Sequence, residues 1–296
     1  MMVKKQERKI TLAERKERVW NGVFFAAASM SVISLVLIII FIFSNGLPVM
    51  FKYGLDEFLF GTEWRPSNSV PSFGLVPMMM GSIYVTLGAT VIGVPVGVLT
   101  AVFMADFCPP QIYNILKPAI TLMASIPSIV YGFFGLQFLV PLIRENVGGN
   151  GYSMLTAMIL LGIMILPTII ELSEASLRAV PRSYYNAGVG LGATHERTIF
   201  TVMIPAAKSG VLSSVVLGIG RAIGETMAVV LVAGNQPIVP GGFTQGVRTL
   251  TTNIVLEMSY ASGDHRSALI ATGVVLFIFI LIINGTFLLI KNKEAK

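Results

Sequence analysis

Residues 66 to 105 contain no Asp, Glu, Lys or Arg, an uncharged run longer than one crossing of a bilayer needs. A span takes ~20 apolar residues and must close its backbone hydrogen bonds internally, because hydrocarbon offers no partners. Similar charge-poor stretches predict helices at about 20–43, 75–103, 119–143, 153–173, 209–233 and 267–290. Only 12% of the residues are charged, against roughly 25% in soluble domains, so a polar shell around one core is out of reach. The expectation is an all-α integral membrane protein of about six transmembrane helices, with no large soluble domain. Part of the uncharged run, from Pro66 to Phe73, must then be loop or surface helix.

The 21 Lys and Arg residues lie in short segments flanking the apolar runs, without a basic face to follow nucleic acid. With the amino terminus inside, fifteen fall on the inner side and five (Lys52, Arg65, Arg144, Arg248 and Arg266) on the outer. That asymmetry predicts both termini in the cytoplasm. The expected organisation is a cytoplasmic segment at 1–19, a first transmembrane helix at 20–43 and an external loop at 44–74. A transmembrane domain at 75–290, with an inner segment at 174–208, and a cytoplasmic tail at 291–296 follow. The first apolar run exceeds a signal-peptide core of ~7–15 residues and reads as a retained anchor. Lys4 to Arg18 reads as a solvated or headgroup-bound helix. The single cysteine, Cys108, permits no intrachain disulfide. The outer loops 44–74 and 234–266 fit a partner surface, a lid or plain connectors.

One basic residue is left over. Arg221 lies thirteen residues beyond Lys208, about 20 Å along a helix, too deep to snorkel easily. Glu225 follows four residues later, on the same face if the helix continues. The pair is either a structural ion pair packed against a neighbouring subunit or an anion-recognition point in a translocation path. Arg suits phosphate because its planar fork presents paired N–H donors to two oxygens. Gly220 with Gly224, and Gly93 with Gly97, read as small surfaces for close helix packing. Pro95, Pro127 and Pro167 interrupt membrane helices as kinks or hinges.

The inner segment carries Tyr184, Tyr185, Val189, Leu191, Ile199 and Phe200 on helix-like spacing, which predicts two short amphipathic helices. Pro181 suits the first turn of one, Gly192 the left-handed residue that ends it, and Thr194 the cap of the next, with Glu196 in its first turn. From the residues alone this is a helical hairpin on the membrane surface. His195 reads as an exposed polar residue, and His265 beside Asp264 is too isolated for a metal site. A Gly-x4-Gly-Lys-Ser/Thr phosphate loop is absent from the sequence, which argues against nucleotide binding of the usual kind.

Asn186, Ala187 and Gly188, then Gly192, then Val202, Ile204 and Pro205 keep every spacing of the EAA loop and so resemble ABC importer permeases. Asn186 stands where that family carries Glu. The strings Gly220 to Asn235 (GRAIGETMAVVLVAGN) and Ser125 to Leu136 (SIPSIVYGFFGL) resemble the phosphate ABC importer permeases, the PstC branch more than PstA. The resemblance runs over most of the chain from Leu75 onward and implies the type I ABC importer permease, or MetI-like, fold. It implies a prokaryotic plasma-membrane subunit that binds no cofactor itself. ATP and Mg would be held by a cytoplasmic ATPase dimer, docked where Asn186, Ala187, Gly188, Gly192 and Pro205 form a coupling helix and its turn. A second, PstA-like permease and an external phosphate-binding protein complete the implied assembly. Arg221, Glu225 and Thr226 are its candidate translocation residues. The rival readings are a permease for another oxyanion, an ATP-independent secondary carrier, and a membrane scaffold.

Overall fold

The computed structural model describes residues 12–294. The start of the charged amino-terminal segment and the last two residues of the tail lie outside them. In chain order the described residues form α1 (Leu12–Tyr53), α2 (Leu55–Phe60), an antiparallel hairpin of β1 (Trp64–Arg65) and β2 (Ser72–Phe73), and α3 (Val76–Val102). Then come α4 (Pro110–Ser125), α5 (Ser128–Phe134), α6 (Val140–Asn146), α7 (Met154–Arg178), α8 (Arg182–Gly190) and α9 (His195–Thr198). The chain ends with α10 (Ile204–Gly224), α11 (Met227–Val232), α12 (Leu250–Glu257) and α13 (Gly263–Glu294). Turns of π-helix extend α3 at Phe103–Phe107, join α5 to α6 at Gly135–Leu139, and join α9 to α10 at Ile199–Met203.

Five helical stretches are long and apolar enough to cross a bilayer, and a bent pair of helices passes the same test when its two halves are taken together. At the centre is α7, started by Ser153, whose hydroxyl accepts from the Thr156 N–H. Its Leu160, Leu161, Met164, Ile165 and Ile169 are all fully buried. In lipid, burial among apolar neighbours gains little by itself, so helices are held by close packing that small residues permit. A Cβ added at Gly93 of α3 would come 2.7 Å from Ile165, and one at Gly97 2.8 Å from Ile169. From the other side Gly218 of α10 meets the same Ile169, 2.9 Å from where its Cβ would stand. Thus α7 is clasped between α3 and α10.

Two spans expected to be continuous are broken. The helix read at 119–143 is instead α4 and the α5–α6 stretch, bent by 99° across Ile126 and Pro127. Pro127 lacks the N–H that would continue the ladder and sits extended, at φ −58°, ψ 141°. Tyr131 donates its hydroxyl across the bend to the Met123 carbonyl at 2.9 Å, satisfying a group that the break frees. The helix read at 209–233 ends at Gly224 and restarts as α11.

Neither long outer segment is a plain connector. The first contains the end of α1, all of α2 and the hairpin. The second returns along the bundle, with the Val247 N–H on the Ala233 carbonyl and the Met154 N–H on the Gln245 carbonyl, each at 2.8 Å, before forming α12.

Candidate functional site

The break after Gly224 decides how Arg221 and Glu225 relate. Arg221 occupies the last turn of α10, where a cation complements the helix dipole. Glu225 leaves the helix at φ −69°, ψ 133°, and its Oε1 accepts from the Ala228 N–H at 3.2 Å, in the first turn of α11. The two side chains therefore do not share one helix face, and among the described residues they form no ion pair. Arg221 instead donates from Nη1 to Thr168 Oγ1 of α7 at 3.1 Å. That single bond to a neutral hydroxyl leaves most of the five guanidinium N–H donors available. Thr226, at the start of α11, donates to the Gly224 carbonyl at 3.2 Å. Thr251 of α12 donates to the Glu225 carbonyl at 3.0 Å. Irregular backbone at membrane depth is tolerated where protein or a watery cavity satisfies it, and these hydroxyls do part of that.

The face beside the break is open. A Cβ at Gly220 or at Gly224 would meet nothing within 4 Å, so among the described residues this small-xxx-small pair packs against no helix. Gly93 and Gly97, read from sequence in the same way, do pack.

At the end that the charge count puts in the cytoplasm, the inner segment is two helices as its spacing predicts. Gly192 turns the chain at φ +87°, a conformation that costs glycine nothing, and the Thr194 hydroxyl caps α9 through the Arg197 N–H at 3.3 Å. Gly188 lies against Thr198, whose Cγ2 is 2.7 Å from where its Cβ would be. Pro205 is in the first turn of α10. Asn186 and Ala187 are exposed, as are Tyr184 and Leu191 nearby.

Beside this pair of helices, Glu174 and Arg178 tie α7 to α4 and to the end of α3, and the pair itself reaches that end through Arg182 and His195. Glu174, 2% exposed, accepts from the Tyr113 hydroxyl at 2.8 Å, Lys117 at 2.9 Å and Arg178 Nε at 2.8 Å. Arg178 also donates to the Met104 carbonyl at 2.9 Å and stacks 4.8 Å above the Tyr113 ring. Asp106 faces Arg182 at 3.6 Å. His195 is not an exposed polar residue: Tyr185 Oη is 2.9 Å from its Nδ1, and the Phe107 ring stands edge-on to it at 4.9 Å. These partners are separated by up to 88 residues, so no local spacing announces most of them.

The end that the charge count puts outside has a clamp of its own. Glu257 of α12 accepts from Trp64 Nε1 at 2.9 Å, Arg248 Nη1 at 2.5 Å and His265 Nε2 at 2.8 Å. His265, isolated in sequence, is thus one of three groups on a single carboxylate. Lys52 and Tyr53 of α1 both hold Asp264 of α13.

Known proteins share this architecture. Residues 93–293 match the pattern of the family described as binding-protein-dependent transport system inner membrane component. The probable ABC transporter permease protein YqgH of Bacillus subtilis is 38% identical over 87% of this chain and 86% of its own. The phosphate transport system permease protein PstC of Pasteurella multocida is 31% identical over 81% of each chain. The fold matches the MetNI methionine ABC transporter, at TM-score 0.61 and 19% identity over 75% of this chain and 96% of that one. It also matches a bacterial alginate ABC transporter, at TM-score 0.64 and 13% identity over 94% of this chain and all of that one.

Proposed function

Because the chain belongs to the binding-protein-dependent transport inner membrane components, ABC importer permeases with PstC among its relatives, we propose that it passes inorganic phosphate across the membrane. The observation that carries this reading is Arg221. A half-buried guanidinium, at a helix break that faces open space, has given one donor to a hydroxyl and keeps the rest for an anion. Phosphate offers the paired oxygens that such a fork binds, and Glu225 stands at the same break with its carboxylate on the Ala228 N–H. Thr226 borders the same break and supplies a hydroxyl beside it.

The rest of the machine lies outside this chain. Members of this family work with an ATPase and a binding protein. Here the exposed Tyr184, Asn186, Ala187 and Leu191 surface, backed by Gly188, Gly192 and Pro205, is the docking face for a cytoplasmic ATPase dimer that binds the ATP and Mg. A homologous PstA-like permease closes the open side at Gly220 and Gly224, and a PstS-like phosphate-binding protein delivers from outside onto the segments carrying Trp64 and α12. Both termini are cytoplasmic. The α8–α9 pair passes motion of the ATPase into the end of α3 through Asp106 and Phe107 and into α10 through Pro205.

The test is uptake of radiolabelled phosphate by the reconstituted complex, with sulfate and molybdate as competitors and with the ATPase left out. Uptake that needs the ATPase, resists both competitors and disappears in Arg221→Ala is expected. Uptake without the ATPase makes the chain a secondary carrier, equal competition by sulfate makes it a broader oxyanion permease, and full uptake by Arg221→Ala removes the site.

A further inference from the structure

A carrier that binds an anion on arginine must also let it go, and Glu225, the carboxylate expected to help, is turned toward α11. Thr168, the residue that Arg221 touches, marks the face of α7 that looks at the pathway. Glu171 follows three residues later, hence on that same face and about 4.5 Å nearer the end where α7 meets the inner helices. It is half-buried, and its Oε1 accepts from the Thr121 hydroxyl of α4 at 2.8 Å. An acidic residue within an apolar helix is expensive and marks a function by default. The neighbouring Glu174 is hydrogen-bonded by Tyr113, Lys117 and Arg178, whereas the hydrogen-bond partner of Glu171 is a neutral hydroxyl, with Lys117 only an electrostatic neighbour.

We propose that Glu171 is a second carboxylate of the translocation path, a positioning residue that competes with the transported anion for Arg221 and so speeds its departure toward the cytoplasm. The inference rests on Arg221 being the anion's contact. An arginine side chain exchanges Thr168 for a carboxylate one turn away by rotating about its own torsions, with the backbone still. Once Arg221 turns to Glu171, the anion loses its fork and meets a like charge. When the path is empty, the same carboxylate compensates a cation that otherwise has only a hydroxyl. Thr121 holds Glu171 ready on the α4 side.

Charge and hydrogen bonding separate cleanly at this position. Glu171→Gln keeps the oxygen that accepts from Thr121 and removes the charge; Thr121→Val removes the donor and keeps the charge. In the full complex in proteoliposomes, Glu171→Gln is expected to lower maximal phosphate uptake about tenfold. It also raises the labelled phosphate still bound to the purified complex after turnover by about the same factor. Glu171→Asp returns both to within about threefold of the parent, and Thr121→Val stays within about twofold. Uptake and retention by Glu171→Gln both within twofold of the parent overturn the proposal, as does a Thr121→Val that fails to the same extent. Full uptake by Arg221→Ala strikes the site itself, whereas an unaffected Glu171→Gln beside an inactive Arg221→Ala strikes only the role of Glu171.

Discussion

Arg248 at the outer end and Arg221 at the helix break are both withdrawn from water, yet the chain treats them in opposite ways. Arg248 has Glu257 at 2.5 Å, Asn253 Oδ1 at 3.0 Å and the Asn235 carbonyl at 3.0 Å. Arg221 has one hydroxyl. Buried charge is costly unless paired, so a saturated arginine fastens the fold and an unsaturated one is held for a partner that the chain does not contain. The contrast extends to Arg178 at the opposite end, which has the Glu174 carboxylate and the Met104 carbonyl as partners. Two clamped ends and an under-satisfied middle are what alternating access needs: rigid handles, and a site whose partners change.

The comparison breaks most visibly in Arg221→Ala. Losing a desolvated charge contact costs ~2–5 kcal/mol, so phosphate uptake should fall at least thirtyfold at ~1.4 kcal/mol per decade. Thermal stability in detergent should not fall with it, because a membrane-buried Arg costs at least ~2.5 kcal/mol to insert. A variant that loses uptake only because it unfolds puts Arg221 in the same class as Arg248.

Glu257→Ala should do the reverse. It strands Arg248, whose side chain is only 14% exposed, and also removes the partner of Trp64 Nε1 and His265. Breaking a buried pair from one side costs about 3 kcal/mol, seen as a lower melting temperature of the purified chain, while any transport by the surviving protein stays phosphate-specific. Unchanged stability would mean that the outer cluster is not a clamp.

The spans, the inner helix pair, the turn at Gly192 and the cap at Thr194 were legible in the sequence because each depends on residues within a few positions of one another. What was not legible depends on distant contacts. Glu257 and Trp64 are 193 residues apart, and Tyr113 and Glu174 61 apart. The break at Glu225 was hidden for a different reason: no proline marks it, and the groups that satisfy it include Thr251, a distant residue of α12 that donates to the Glu225 carbonyl. Proline did mark the other break, at Pro127, but Pro95 and Pro167 lie inside helices that continue, so proline alone does not tell a kink from a bend of 99°.

The glycines repeat the contrast between closed and open surface at smaller cost. Gly97→Ala drives a methyl against Ile169, at 2.8 Å from its Cγ2, and should destabilise the isolated chain by ~1–3 kcal/mol. Gly220→Ala meets nothing and, at a helical position, should leave the isolated chain as stable or up to ~1 kcal/mol more so. Its effect belongs to the assembly: recovery of the second permease on co-purification should drop severalfold. Equal recovery with Gly220→Ala and the parent makes the open face a lining of the pathway rather than a seam between subunits.

The smallest effect is expected at Asn186, exposed on α8 at the position where the EAA loop that the segment resembles has Glu. The inner helices are positioned from behind, through Gly188 on Thr198, Arg182 on Asp106 and Tyr185 on His195, and Asn186 takes part in none of these contacts. Exposed ion pairs contribute ~0–1 kcal/mol, so a docking face that has lost its Glu loses little, and removing an Asn from it loses less. Asn186→Ala should therefore change phosphate-stimulated ATP hydrolysis by the assembled complex by less than about threefold. Leu191→Asp, which puts a charge on the most exposed apolar side chain of that face, should cost more, because such a face docks chiefly by burying apolar surface. If the order is reversed, the polar position governs coupling and the apolar one is incidental.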